Sequence, residues 1–198
     1  MREIIDGLLL GDGSLNYRPG NPNFRSLPRF GYNCKELEFV EWIVQALTGL
    51  GLTFGPIHPK PNGYGTGITH QVYSHVAVQL LPYLHRWYPA GKKILPIDIS
   101  ITPTVANMWY CGDGGLDSDK GYLRQIALCT HCFEPDSREW LAEQLRSLGF
   151  RSRAAKNGRV FVSKRAIPDF LNWIGQPPTS CYLYKWAHLS YTSKQPKY

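Results

Sequence analysis

The feature that most limits how this chain can fold is a long internal repeat. LLLGDGSL at residues 8–15 returns as WYCGDGGL at 109–116. FVEWIVQALTGLGL at 39–52 returns as REWLAEQLRSLGF at 138–150, which aligns Trp42 with Trp140 and Gly51 with Gly149. Val72-Tyr73-Ser74 then resembles Phe161-Val162-Ser163, and an apolar helical stretch follows each. The separation shrinks along the chain, so the second copy has shorter loops. Two copies of about a hundred residues are too few for a solenoid, whose repeats bury one another's faces in series. The repeat instead predicts a fused dimer, two similar halves about a pseudo-twofold axis. The expected division is residues 1–97 for the first repeat, 98–103 for a linker and 104–198 for the second repeat with a short basic tail.

Each half reads in the same order. An apolar helix comes first, at 2–11 and at 104–112, with Thr102 placed to cap the second and Pro103 in its first turn. Short strands follow, LPRFGYNC and GYLRQIALCT among them. Leu37, Val40, Ile43, Val44 and Leu47 recur at helical spacing, as do Trp140, Leu141, Leu145 and Leu148. Gly49 and Gly51, then Gly149, mark where those helices stop. A second hairpin comes next, with Asn157-Gly158 as a strong turn signal in the later copy. A last apolar helix closes each unit. The expected fold class is α+β: two pseudo-symmetric αββαββα repeats with antiparallel sheets.

The repeated Gly-Asp-Gly carries the chemistry. Asp12 and Asp113 each stand where a helix must end. That end is the negative pole of the helix dipole, a poor place for an anion. An acid held there twice, at equivalent points of a repeat, points to a task beyond turn formation. Gly7 and Gly11 lie on one helix face and allow close approach of a second helix. If the two motif helices pack about the axis, both carboxylates meet, and the carbonyls of Gly11 and Gly112 complete an oxygen-rich site for a hard divalent cation. A bound cation also relieves the repulsion between the two acids.

At these residues the chain resembles a known family. IDGLLLGDG (5–13) and ANMWYCGDG (106–114) are similar to the paired signature motifs of the LAGLIDADG homing endonucleases of the single-chain, double-motif type. GKKILPIDISITPTVANMWYCGDGGL (91–116) resembles the family's connector between halves, and CYLYKW (181–186) its C-terminal lysine segment. Leu10 and Met108 depart from the usual motif, but neither is the acid expected to bind metal. The resemblance implies motif helices at the interface between halves and a saddle of two four-stranded sheets along the DNA major groove. It implies that Asp12 and Asp113 bind Mg²⁺, with Mn²⁺ as an alternative and Ca²⁺ as a non-catalytic substitute. The implied activity is cutting of both strands of a long DNA site to leave short 3′ overhangs, in the service of intron or intein mobility. The implied state is a monomer. An RNA-binding intron maturase on the same scaffold, with intron RNA as partner, and a catalytically silent DNA-binding protein are the alternatives.

Phosphodiester hydrolysis needs an activated water and a stabilised phosphorane, which metals and nearby basic groups supply. Lys93, in GKKILP, and Lys185, in YLYKW, each end their own repeat beside apolar residues and are the expected basic catalytic groups, with Lys92 as the competitor of Lys93. The net charge of +7 suits a polyanionic partner, and from Leu145 onward ten basic residues stand against one acid, Asp169. Strand residues facing a major groove should be polar or basic. The candidates are Asn16, Tyr17, Arg18, Arg25, Arg29, Lys60, Tyr64, His70 and Gln71 in the first half. In the second they are Asp117, Lys120, Arg124, Gln125, Arg151, Arg153, Lys156, Asn157 and Arg159. Because neighbours on a strand face opposite ways, Arg124 is favoured over Gln125.

Other classes find no support. No apolar run approaches the roughly 18 residues of a membrane span, and the acidic N-terminal stretch does not read as a secretory leader. Five cysteines without framework spacing predict a reducing, intracellular setting. Cys129-Thr-His-Cys132 lacks the second pair that a zinc site needs. No phosphate-cradling Gly-x-x-x-x-Gly-Lys is present.

Overall fold

A computed structural model describes residues 1–17, 27–62, 67–119 and 122–186. The chain divides into two compact units. One comprises Asp12–Pro96; the other joins Arg2–Gly11 to the chain from Ile97 onward. No helix among the described residues is long and apolar enough to cross a membrane.

The first unit holds β1 (Ser14–Asn16), β2 (Arg29–Cys34), α2 (Leu37–Thr48), β3 (His58–Pro61), β4 (Ile68–Tyr73) and, after a 3₁₀ turn at Val78–Leu80, α3 (Leu81–Trp87). Its sheet is antiparallel in the order β1-β2-β4-β3. Leu15, Phe30, Tyr32 and Val72 turn one face of that sheet inward and are buried. Phe39, Val40, Ile43 and Leu47 supply the buried stripe of α2. Leu37 of the expected stripe is exposed.

The second unit contains α1 (Arg2–Leu10), α4 (Pro103–Asp113), β5 (Gly114–Asp119), β6 (Tyr122–Cys129), α5 (Pro135–Ser147), β7 (Ser152–Ala154), β8 (Arg159–Ser163) and α6 (Ile167–Ile174), with 3₁₀ turns at Lys164–Ala166 and Ser180–Tyr182. Its antiparallel sheet runs β5-β6-β8-β7, the same topology as the first. Ile126, Leu128, Val160 and Val162 are fully buried on its inward face. The αββαββα order therefore occurs twice.

Local chemistry explains the boundaries. Thr102 Oγ1 accepts from the Val105 N–H at 3.3 Å and caps α4, and Pro103 opens its first turn. The two middle helices end alike. Leu52 N–H donates to Leu47 O and Gly51 N–H to Thr48 O; Phe150 N–H donates to Leu145 O and Gly149 N–H to Arg146 O. This is the Schellman arrangement, which requires a left-handed residue, and Gly51 (φ +93°) and Gly149 (φ +91°) meet it. The buried pairs Leu47/Leu52 and Leu145/Phe150 supply the apolar contact that accompanies it. Between β7 and β8 the four residues 155–158 turn the chain. Gly158 N–H donates to Ala155 O, Ala155 N–H to Arg159 O, and Gly158 sits at φ +77°.

The helix α1 belongs by sequence to the first repeat and packs against α4 of the second. The fit is close: a Cβ added to Gly7 would lie 2.6 Å from Val105 O and 2.7 Å from Met108 Cβ. Any larger residue at position 7 forces the helices apart. Gly11 is less constrained, since its added Cβ would meet Asp113 N at 3.5 Å. Met108, the residue that departs from the usual motif, is thus opposed by a residue with no side chain.

Candidate active site and nucleic-acid interface

Each motif acid emerges at the end of its helix. Asp113 is the last residue of α4, and the Gly114 N–H still donates to Tyr110 O. Asp12 follows α1 by two residues. In the second unit, Asp113, Gly112, Asp117, Cys129 and Arg159 are among the residues lining an open cavity of about 340 Å³.

The two lysines hold equivalent positions. Lys93 Nζ donates to Gly13 O at 3.0 Å. Lys185 Nζ donates to Gly114 O at 2.7 Å, and also to Cys111 O at 2.7 Å and Tyr110 O at 3.1 Å. Gly13 and Gly114 are the same point of the repeat, the residue after the acid. Each lysine therefore clamps the carbonyl that follows its own repeat's aspartate. Lys92 is exposed and Lys93 half-buried. Lys185 is only 7% exposed, lies 4.6 Å from the Tyr182 ring centre, and its own carbonyl accepts from Tyr110 Oη at 2.9 Å.

Beneath this clamp the second unit buries titratable groups. Cys111 Sγ donates to Asn107 Oδ1 at 3.4 Å, and Asn107 Nδ2 donates to the carbonyls of Ile174 and Gln176, both at 2.9 Å. Burial pushes the Cys111 thiol up to about 12, against a smaller lowering by Lys185. Burial likewise raises the Tyr110 phenol.

Residues opposite one another in a sheet share a face, so register sorts the remaining candidates. In the first sheet Asn16 pairs with Arg29, and Asn33 with Gln71, while Gln71 faces His58 and Lys60 faces Thr69. Asn16, Arg29, Gln71 and Lys60 therefore share the face away from Phe30 and Val72. Arg29 stacks over the Tyr73 ring at 4.1 Å, and Gln71 Nε2 donates to Tyr73 Oη at 2.9 Å. Asn33, His58 and Tyr73 stand on the same face and were missed in the sequence. The alternation Arg29, Gly31, Asn33 was the signal for the first of them. His70 pairs with Cys34 and takes the opposite face. Tyr17 is exposed just beyond β1.

In the second sheet Asp117 pairs with Gln125, Cys129 with Arg159 and Arg153 with Phe161. Gln125 Nε2 donates to Asp117 Oδ2 at 2.7 Å, and Gln125 Oε1 accepts from Arg153 at 3.3 Å. Arg153 stacks over Phe161 at 4.6 Å. Arg151 and Arg159 are exposed, as are Lys156 and Asn157 in the hairpin loop. Arg124 is exposed, but strict alternation does not decide between it and Gln125. Asp117 faces Gln125 while Ser118 faces Leu123, so Arg124 is left over at a bulge. Arg18, Arg25, Tyr64 and Lys120 lie outside the described residues, as does the basic tail after Trp186.

Sheet register also corrects the repeat alignment. Leu15 opposes Phe30 and Leu116 opposes Ile126, which equates Phe30 with Ile126. Ser74 N–H donates to Phe30 O, whereas Ile126 pairs with Val162. Tyr73 is thus the counterpart of Phe161, and the match of Val72-Tyr73-Ser74 to Phe161-Val162-Ser163 is out by one residue. The shift turns two unlike positions into two aromatic platforms, each under an arginine.

Comparison with known proteins extends these observations. The profile of the LAGLIDADG DNA endonuclease family matches residues 2–166. A protein of Methanocaldococcus jannaschii, named uncharacterized protein MJ1098, is 34% identical over 173 residues, which is 83% of this chain and 65% of that protein. The chain thus spans less than two thirds of that relative. Protein RecA of Mycobacterium leprae is 25% identical over 163 residues, 72% of this chain and 20% of RecA. Among solved structures, the homing endonuclease I-WcaI bound to its DNA recognition sequence aligns with TM-score 0.77 at 20% identity, covering 92% of this chain and 84% of that one. I-DmoI in complex with DNA and Mn aligns with TM-score 0.52 at 19% identity, over 87% and 96%.

Proposed function

Because the chain belongs to the LAGLIDADG DNA endonuclease family, we propose that it is a monomeric, divalent-metal-dependent endonuclease that cuts both strands of a specific DNA site, leaving short 3′ overhangs. The biological task is intron or intein homing. The relative RecA, matched over only 20% of its length, supports a module that can reside inside a longer chain.

One observation carries the reading. Both motif acids are present, and the carbonyl after each is held by the lysine that ends its repeat. The donor set suits a hard cation. Asp113 and the adjacent helix-end carbonyl offer oxygens only, and no cluster of three or more His, Cys, Asp or Glu occurs among the described residues. That fits Mg²⁺, which keeps several waters and takes phosphate oxygens rather than a full protein cage. Asp12 and Asp113 would hold it, with Gly11 and Gly112 lending carbonyls. A cation held there would supply Lewis-acid polarisation of the scissile phosphate and of the attacking water. Lys93 and Lys185 fix the peptides that aim the acids and place positive charge beside them. The arginines and amides of the two sheet faces grip phosphates and base edges. In this reading the repeats, residues 1–97 and 104–198 joined by 98–103, are the two half-site readers, while α1 packs with the second unit.

The test is incubation with Mg²⁺ and a plasmid carrying the uninterrupted insertion sequence. Linear DNA with 3′ overhangs is expected. Duplex binding without cleavage under Mg²⁺ and Mn²⁺ would replace the nuclease with a silent DNA-binding protein. Selective binding of intron RNA with no affinity for the duplex would replace it with a maturase.

A further inference from the structure

The face of the second sheet carries Asp117 beside the basic Arg153, and that acid is held in a relay. Asp117 Oδ2 accepts from Gln125 Nε2 at 2.7 Å, and Gln125 Oε1 accepts from Arg153 at 3.3 Å. Arg153 in turn lies flat over the Phe161 ring at 4.6 Å. The amide of Gln125 is thereby oriented: its nitrogen must point at the carboxylate and its oxygen at the guanidinium. Asp117 is turned by a neighbour on its own face rather than left to rotate. A carboxylate cannot serve as a phosphate contact, because it repels the DNA backbone. An acid fixed on a nucleic-acid face therefore needs another reason to be there.

We infer, resting on the double-stranded DNA reading above, that Asp117 is a specificity-determining residue that demands a cytosine in the half-site its sheet faces. An ionised carboxylate only accepts hydrogen bonds. In the major groove the exocyclic amino donors are cytosine N4 and adenine N6, and adenine sets its N7 acceptor beside that donor. The keto edges of guanine and thymine present oxygen to oxygen and are refused. Cytosine satisfies Asp117 with no opposing acceptor alongside. The remaining donors of Arg153, held over Phe161, suit guanine O6 and N7 in the same half-site. Among the described residues the first sheet shows no such relay. Its counterpart of Asp117 is Asn16, a neutral amide whose Nδ2 donates to Ser14 Oγ at 3.2 Å. The demand for cytosine is thus confined to one half of the target.

Selection from a random duplex library, with wild type, Asp117→Asn and Gln125→Ala, tests this. Wild type should enrich duplexes with cytosine fixed at one position of one half-site, with about a 5- to 150-fold preference over the other bases. Asp117→Asn should abolish that preference and move it towards adenine, whose N6 and N7 an amide matches. Gln125→Ala keeps the carboxylate but frees it, and should weaken the preference at the same position only. Identical base profiles for wild type and both variants would overturn the inference while leaving DNA binding intact. Failure of wild type to enrich any duplex would overturn the DNA reading and this inference with it.

Discussion

The two sheets share strand order, register and inward residues, yet their outward faces have diverged. Asn16, Arg29, Asn33, Gln71 and Tyr73 of the first correspond to Asp117, Gln125, Cys129, Arg159 and Phe161 of the second. The inward counterparts stay apolar: Leu15 and Leu116, Phe30 and Ile126. A core position answers to packing, which tolerates only apolar groups of similar volume. A face position answers to a partner. The inward positions therefore keep what folding needs, and the outward faces are where the two halves differ.

The motif ends sharpen the comparison, because there the halves remain alike. Asp12→Asn and Asp113→Asn should each lower double-strand cleavage more than about 100-fold, beyond what the loss of an outer-sphere partner of a metal costs. Binding should persist, since neither change removes a cationic contact. Linearisation of plasmid beside a gel-shift titration checks this. Wild-type cutting by either variant would break the equivalence of the two acids.

The lysines are alike in role and unlike in setting, and stability measures the difference. Lys185→Met takes this donor from the buried Cys111 carbonyl and the part-buried Gly114 carbonyl, while Tyr110 O keeps the Gly114 N–H, and should cost about 2–4 kcal/mol. Lys93→Met, at a half-buried site, should cost about 1 kcal/mol. Urea midpoints at constant slope give both values. Equal losses would mean that the deeper clamp of the second half contributes nothing extra.

A smaller contrast lies one residue before each motif glycine, where Leu10 in the first repeat corresponds to Cys111 in the second. The Cys111 thiol is raised from 9.0 to about 12, chiefly by burial. Its neutral form is favoured in the fold, so its stabilising effect is complete below pH 9 and drains away between about 9 and 12 as the unfolded thiol ionises. Stability should fall by about 1 kcal/mol per pH unit above 9. Cys111→Ala should remove that part of the fall, leaving the Tyr110 phenol to act from pH 10 upward. Melting curves from pH 8 to 10.5 show whether the two slopes separate.

Much of this was legible in the sequence, for identifiable reasons. The αββαββα order followed from repeated punctuation, because Gly51, Gly149 and Thr102 are residue types whose backbone roles few others fill. Residue type alone put Asn16, Arg29, Lys60 and Gln71 among the candidates together with His70, and only the strand register separates His70 onto the other face. The alternation failed at Arg124, where an extra residue interrupts the ladder, and at Tyr73, whose partner is one residue away from the apparent sequence match. The relay from Arg153 to Asp117 was hidden because it joins strands far apart in sequence. The depth of Lys185 was hidden as well: three carbonyl acceptors at a chain bend leave no sequence pattern.

The seam between α1 and α4 also bears on ancestry. The helix α1 travels with one repeat in the gene and with the other in space, so the second unit holds both motif helices. Scission at residues 98–103 would leave α1 on one fragment and its packing partner on the other. Shuffling among relatives meets the same barrier: a hybrid that trades whole repeats pairs a Gly7 with a foreign Val105 and Met108. The heritable module is therefore offset from the repeat, and a viable crossover must carry the opening helix along with the second half.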